Sequence, residues 1–285
     1  MADYERSTLF ECTGLVLRTG VGLMMAKALE ANGAKVYIIG RRMEKLKEAA
    51  AQAKYGNIIP FQADVTSQCS LSQIAAHIEA EVGYINLLIA NSGIMGPIYP
   101  DLAKKSYTIE EMQETMWRTP MDEFTETFAV NVTGVLYTSI AFLKLLDAGN
   151  KKQNSTQRSQ IIITSSMGAF FRSMEVPGAA YVTSKAAVNS LIKSLAQCLA
   201  KFEIRVNGIA PGIFLSDMNR DVFGSVDISK DGALPCEDFA AGRGGKEEEM
   251  AATVLYLASK GGAYCSGSIL LVDGGQLGYM KGSMY

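Results

Sequence analysis

One histidine, one tryptophan and five cysteines in 285 residues leave little material for several kinds of catalysis. A Ser-His-acid triad would need His77 to meet a nucleophile and an orienting acid from elsewhere in the chain, and multi-histidine metal catalysis is excluded. His77 lies in a polar, alanine-rich helical pattern and reads as an exposed helix residue; no metal is expected. Cys12, Cys69, Cys198, Cys236 and Cys265 are scattered, odd in number and free of any CxxC pair, which argues against a disulfide framework or a zinc site and fits a reducing compartment. No apolar run approaches the roughly 18 residues that span a bilayer, and the opening MADYERSTLF mixes acids with bases, so a cytoplasmic protein with no membrane partner is expected. With 27 basic and 29 acidic residues the net charge is −2, which gives no electrostatic footprint for nucleic acid. Any phosphate it binds must be met locally. A serine hydrolase on an α/β sheet would want a G-x-S-x-G elbow and a late histidine, and the sequence has neither.

What is present is an ordinary globular composition, 48% hydrophobic and 20% charged, enough to fill a core between helices and sheet. Strand-like apolar runs near Leu15–Leu17, Lys35–Ile39, Asn57–Gln62, Ile85–Ala90, Gln160–Thr164, Arg205–Ile209 and Ser268–Val272 alternate with helical patterns. The helices are expected near Leu23–Ala31, Met43–Lys54, Leu71–Val82, Met121–Leu146, Ala180–Phe202 and Lys246–Ser259. Such alternation predicts βαβ units: an α/β chain, doubly wound, with a parallel sheet of about seven strands flanked by helices on both faces, residues 1–285 forming one domain. The rhythm is interrupted at 94–120 and 214–245. Both interruptions follow carboxyl ends of strands, where open α/β sheets bind ligands, so they are read as long loops over the active site.

The sharpest local signal is Tyr181-Val-Thr-Ser-Lys185 at the start of an amphipathic helix. The i, i+4 spacing puts phenol and ammonium on one helical face, and a nearby cation favours the ionised phenol. Alone, YxxxK is also what a tyrosine packed at a helix start looks like. Ahead of it a strand-like run ends in Thr164-Ser165-Ser166-Met167-Gly168, which places a hydroxyl where it could donate to a substrate carbonyl, although serines are ordinary turn formers there. Earlier, Asn131 sits in the middle of an apolar helix, where propensity disfavours it. It reads either as a buried amide joining two segments or as an anchor for a water next to the lysine.

Taken in order, these motifs resemble the short-chain dehydrogenase/reductase family, in its 3-oxoacyl reductase-like form, over nearly the whole chain. Asn131, Ser165, Tyr181 and Lys185 match the family tetrad; Ser165 is preferred over Ser166, the interval to Tyr181 being a few residues longer than usual. Asn91-Ser92-Gly93 stands where the family has Asn-Ala-Gly, and Asp64-Val65 where an aspartate approaches adenine. Pro211-Gly212-Ile213 with Ser216 and Met218 resembles the stretch that closes over nicotinamide, and Asp273-Gly274-Gly275 ends the last strand as the family does. The resemblance implies a Rossmann fold and hydride exchange with a ketone or secondary alcohol. In it Ser165 would hold the carbonyl oxygen, Tyr181 would protonate it, Lys185 would tune the phenol and bind ribose, and Asn131 would support the proton relay. It also implies a homodimer or homotetramer built on the two longest helices.

The cofactor is read from charge. Gly40-Arg41-Arg42 ends the second strand where an NAD-preferring enzyme would carry an acid, and two guanidinium groups there fit the 2′-phosphate of NADP(H). The phosphate loop departs from the pattern: Arg18-Thr19-Gly20-Val21-Gly22 is about five residues short of TGxxxGxG, with Gly20 and Gly22 as the candidate glycines. The first strand, at about three apolar residues, is also expected to be short. Impaired cofactor binding would turn the chain into a non-catalytic binding or regulatory relative, the alternative in a different functional class.

Overall fold

The computed structural model describes residues 13–17, 20–103, 106–172, 176–216, 223–224, 226–237 and 239–279. Seven parallel strands are ordered β3-β2-β1-β4-β5-β6-β7: β1 Thr13–Leu17, β2 Lys35–Gly40, β3 Ile58–Gln62, β4 Leu87–Ala90, β5 Gln160–Thr164, β6 Arg205–Pro211 and β7 Ile269–Val272. β1 lies between β2 and β4, with Gly14 opposite both Val36 and Leu87, so the chain reverses its direction of travel across the sheet at that point. At five residues β1 is longer than the three apolar residues suggested, because Thr13 and Gly14 also pair with β2.

Strand alternation divides the core into two layers. Tyr37, Ile39, Leu88, Ala90, Ile161 and Ile163 face one side, where they meet α3 (Gln68–Glu81), α7 (Leu143–Lys152) and α8 (Ala179–Leu199). Val36, Ile38, Leu87, Ile89, Ile162 and Ile209 face the other, against α1 (Gly20–Ala31), α2 (Met43–Ala50) and α9 (Glu247–Ala258). Every strand position between Val36 and Ile39 is buried, as a sheet covered on both faces requires.

Two expectations about helices are corrected. The stretch 94–120 is not all loop, since Thr108 starts a helix α4 (Ile109–Trp117) through a reciprocal capping box with Glu111, and Met112 and Met116 pack on Tyr99, Leu102 and Ala179. The single helix expected over Met121–Leu146 is broken. α5 (Met121–Phe128) passes through a π turn at Ala129–Thr133 into α6 (Gly134–Ala141), and α7 departs after Phe142 at a 44° bend. Phe142, buried and at φ −104°, ψ 5°, leaves helical geometry to place its ring in the core. Among the described residues no single helix is long and apolar enough to cross a membrane.

A buried carboxylate secures the connection between α2 and β3. Glu30 has no exposed surface and accepts from the amides of Lys54 at 2.9 Å, Tyr55 at 2.6 Å and Asn57 at 3.3 Å. Glu30→Gln turns an NH2 group toward one of these donors. It should cost about 1.5–3 kcal/mol in urea unfolding, the range for hydrogen bonds to a charged group. An unchanged midpoint would show that the connection is held by other contacts.

Candidate active site

The carboxyl ends of β4, β5 and β6, with the first turn of α1, open on a cavity of about 920 Å³. α8 delivers two side chains to it. Gly178 precedes the helix at φ +93°, and a methyl there would strike the Pro97 carbonyl oxygen at 2.1 Å, so a glycine is needed for the loop after β4 to close against the helix start. Tyr181 and Lys185 follow one turn apart, both buried and both on the cavity wall. Burial raises the Tyr181 pKa, and a hydrogen bond with the Ser166 hydroxyl opposes that shift. Lys185 is pulled down to about 8 by burial. Its Nζ donates to the Thr164 carbonyl at 2.9 Å and stands 5.8 Å from the centre of the Tyr181 ring.

The geometry separates Ser165 from Ser166, although both line the cavity. Ser165 is buried and its hydroxyl donates to Asn189 Oδ1 at 2.5 Å, whereas Ser166 Oγ lies beside the Tyr181 ring, a methyl on Gly168 being 3.3 Å from the one and 3.2 Å from the other. Successive side chains of an extended strand point to opposite faces, so only one of two adjacent serines can meet Tyr181. Gly168 N–H donates to Ser166 Oγ at 3.0 Å and holds the serine at the entry to a short 3-10 turn, Met167–Phe170.

Asn131 occupies the π turn between α5 and α6 and has no exposed surface. It binds the Ile94 backbone twice, accepting from its N–H at 2.8 Å and donating to its carbonyl at 2.9 Å, and donates to Ser184 Oγ at 3.0 Å. Ser184 in turn donates to the Tyr181 carbonyl at 2.8 Å. A single amide thus ties the loop after β4 to the first turn of α8. The extra residue of the π turn turns it inward, a distortion that recurs at functional sites. A methyl at Gly93 would stand 3.4 Å from both Asn131 Oδ1 and Lys185 Nζ, so the two side chains converge on that bare backbone.

The remaining predicted positions lie along the same sheet edge. Asn91, Gly93, Pro211, Gly212, Ile213 and Ser216 line the cavity with Tyr181 and Lys185. Gly212 packs on Asp273, whose Cα would lie 2.6 Å from a methyl there. Gly20 opens α1 and Gly22 is buried within it. Arg41 and Arg42 are exposed beyond β2, Arg42 preceding α2 in extended backbone. Asp64 accepts from the Thr66 amide and hydroxyl at 2.9 and 2.7 Å; these bonds, with the Arg41 charge, hold its pKa below the usual carboxylate value. Val65 is buried against Gly134. Arg18, Thr19 and Met218 lie outside the described residues.

Sequence reasoning passed over Ser184 and Asn189 on α8. Their only local signal is position: each is a polar residue on a helix whose neighbouring turns are buried. It also did not anticipate that Phe171, Pro177, Phe239 and Tyr279 complete the cavity.

Residues 14–276 match the family model described as enoyl-(acyl carrier protein) reductase. The chain is 48% identical over 277 residues to short-chain dehydrogenase/reductase PhomF of Diaporthe leptostromiformis, covering 94% of this chain and 93% of that protein. It is 42% identical over 294 residues to short-chain dehydrogenase/reductase VdtF of Byssochlamys spectabilis, covering 94% of each. Among solved structures, the Pseudomonas aeruginosa RhlG/NADP active-site complex superposes with a TM-score of 0.77 at 27% identity, covering 98% of this chain and all of that one.

Proposed function

The chain belongs to the short-chain dehydrogenase/reductase family and is an oxidoreductase, and from that premise we propose that it exchanges hydride between NADP(H) and a ketone or secondary alcohol, with Tyr181 as general acid–base. The observation that carries this reading is that Tyr181 and Lys185, one turn apart on α8, are buried and stand with Ser166 on the wall of a large cavity at the carboxyl ends of the strands, Lys185 Nζ 5.8 Å from the Tyr181 ring centre.

The donor set fits a phosphorylated dinucleotide. A methyl on Gly20 would lie 2.3 Å from Ser216 Cβ, so the loop after β6 reaches the amino end of α1 over a bare glycine. Free amides at a helix amino end suit a pyrophosphate. Lys185 and Asn91 would hold the ribose and nicotinamide side, Asp64 and Val65 the adenine side, and Arg41 and Arg42 the 2′-phosphate. When bound, the nicotinamide supplies or accepts the hydride.

For a ketone, Ser166 donates a hydrogen bond to the carbonyl oxygen while Tyr181 transfers its phenolic proton to that oxygen as negative charge develops there. Lys185 offers a positive charge beside the resulting phenolate. Asn131 keeps the loop after β4 and the first turn of α8 in register, so that the acid does not drift from the reacting atom. Met95, Met167, Phe171, Pro177, Phe239 and Tyr279 give the substrate end an apolar lining, which suits a carbonyl compound with apolar bulk.

Titration of the purified protein with NADPH, followed by its fluorescence, should show saturable binding. Absence of binding at millimolar cofactor would overturn the enzyme reading in favour of a non-catalytic relative. A homodimer or homotetramer is also proposed: Phe124, Tyr137 and Ile140 on α5 and α6 are exposed at 38%, 38% and 49%, and Phe202 beyond α8 at 51%. Light scattering after size exclusion should give a multiple of the 30.7 kDa chain mass. A mass of one chain at micromolar concentration would rule it out.

A further inference from the structure

Of the two adjacent serines at the end of β5, one faces the phenol, and the structure contains a device that decides which. We propose that Asn189 is a positioning residue: by holding the Ser165 hydroxyl it sets the rotation of the strand end, so that Ser166 and not Ser165 is presented to Tyr181. The inference rests on the reading of Tyr181 as the acid–base.

Three contacts place consecutive residues of the strand end against a single stripe of α8. Lys185 Nζ donates to the Thr164 carbonyl at 2.9 Å, the Ser165 hydroxyl donates to Asn189 Oδ1 at 2.5 Å, and Ser166 Oγ lies beside the Tyr181 ring, a methyl on Gly168 being 3.3 Å from the one and 3.2 Å from the other. Tyr181, Lys185 and Asn189 are spaced by four residues along the helix, so each lies about one turn beyond the last on the side of α8 that faces the strand end. Ser165 still belongs to the sheet ladder, its amide donating to the Ile209 carbonyl at 2.7 Å, and Ser166 continues in extended backbone at φ −163°, ψ 154°. In that conformation the two side chains diverge, Ser165 toward Asn189 and Ser166 toward the first turn of α8.

Two serines of identical chemistry invite a slip of one position. A strand end shifted or rotated by one residue would offer Ser165 to the phenol and aim Ser166 elsewhere, while the Lys185 bond, being to backbone, would be remade by the next carbonyl. Asn189 breaks the degeneracy. In the shifted arrangement its half-buried Oδ1 loses the serine donor, and an acceptor left without a partner away from water is costly. The inference therefore assigns to Asn189 a role in catalysis without contact with substrate or cofactor.

The test compares Ser165→Ala, Asn189→Leu, Asn189→Asp and the double variant Ser165→Ala/Asn189→Leu with the unaltered protein, measuring kcat, KM, NADPH affinity and melting temperature. Ser165→Ala and Asn189→Leu should each lower kcat about 10- to 100-fold, the scale of a small misplacement at a reacting centre, with KM and NADPH affinity close to those of the unaltered protein. The double variant should be no worse than the singles, since both remove one contact. Asn189→Asp, which keeps an acceptor, should retain most of the activity. Unchanged kcat in both singles, losses that multiply in the double variant, or an Asn189→Asp loss as severe as that of Asn189→Leu would each overturn the proposal. So would parallel loss of kcat, KM and cofactor binding, the mark of general structural damage. If Asn189→Leu fails to fold, Ser165→Ala carries the same comparison. Tyr181→Phe, run alongside, separates the two levels: if it remains active the acid–base assignment falls, and if it is inactive while Ser165→Ala is unimpaired only the role of Asn189 falls.

Discussion

Tyr181→Phe should reduce turnover by about 10² to 10⁴, the contribution expected of a positioned general acid, while leaving NADPH affinity close to that of the unaltered protein. The substitution removes one oxygen from a buried side chain and leaves the ring in place, so α8 and its contacts with the Met167–Phe170 turn should persist. It also deletes the phenolic proton beside Ser166 and within reach of the Lys185 charge. Single-turnover reduction of a reporter ketone, read at the NADPH absorbance, measures the chemical step, and fluorescence titration measures binding. A variant that keeps its turnover would show that another group protonates the substrate. One that loses NADPH binding as well would show that the phenol holds the cofactor more than it serves the reaction.

The second large effect concerns cofactor choice. Arg41→Ala combined with Arg42→Ala should weaken NADPH binding by about 2–3 kcal/mol, on the order of 30- to 150-fold, with little change for NADH. The two guanidinium groups are exposed just beyond the carboxyl end of β2, free to reach a phosphate that NADH lacks, and charge-assisted bonds of that kind supply the expected discrimination. Because both groups are solvated, the NADPH affinity of the unaltered protein should also fall more steeply with salt than its NADH affinity. Equal weakening of both cofactors would place the arginines on a shared part of the dinucleotide. No weakening of either would remove the NADP(H) preference altogether.

The legible part of the molecule is the part written in short-range pattern. Alternating apolar runs and helical periodicity placed all seven strands to within a few residues and the helices that flank them, because burial on both faces of a parallel sheet leaves its mark on consecutive residues. The same holds for Tyr181 and Lys185, whose four-residue spacing is a statement about one helix. Breaks in regular structure were less legible. The π turn at Ala129–Thr133 and the bend after Phe142 divide what reads as a continuous apolar helix, since the cause lies in what the helix must pack around. α4 was missed because its apolar contacts, Met112 and Met116, are few, while its largest apolar side chains, Ile109 and Trp117, are exposed and break the amphipathic pattern.

The serine pair shows where that limit falls. By itself the sequence determined the inventory and its order: a hydroxyl at the end of the fifth strand, a phenol and an ammonium one turn apart on the helix that follows, an asparagine upstream and two arginines beyond the second strand. Ser165 and Ser166 are chemically the same, and nothing local ranks them. Only the tertiary structure separates them, because it sets Ser165 against Asn189, 24 residues away along the chain, and Ser166 beside the Tyr181 ring. The two side chains diverge where the strand ends, and only the packing of α8 fixes which turn of the helix each one meets.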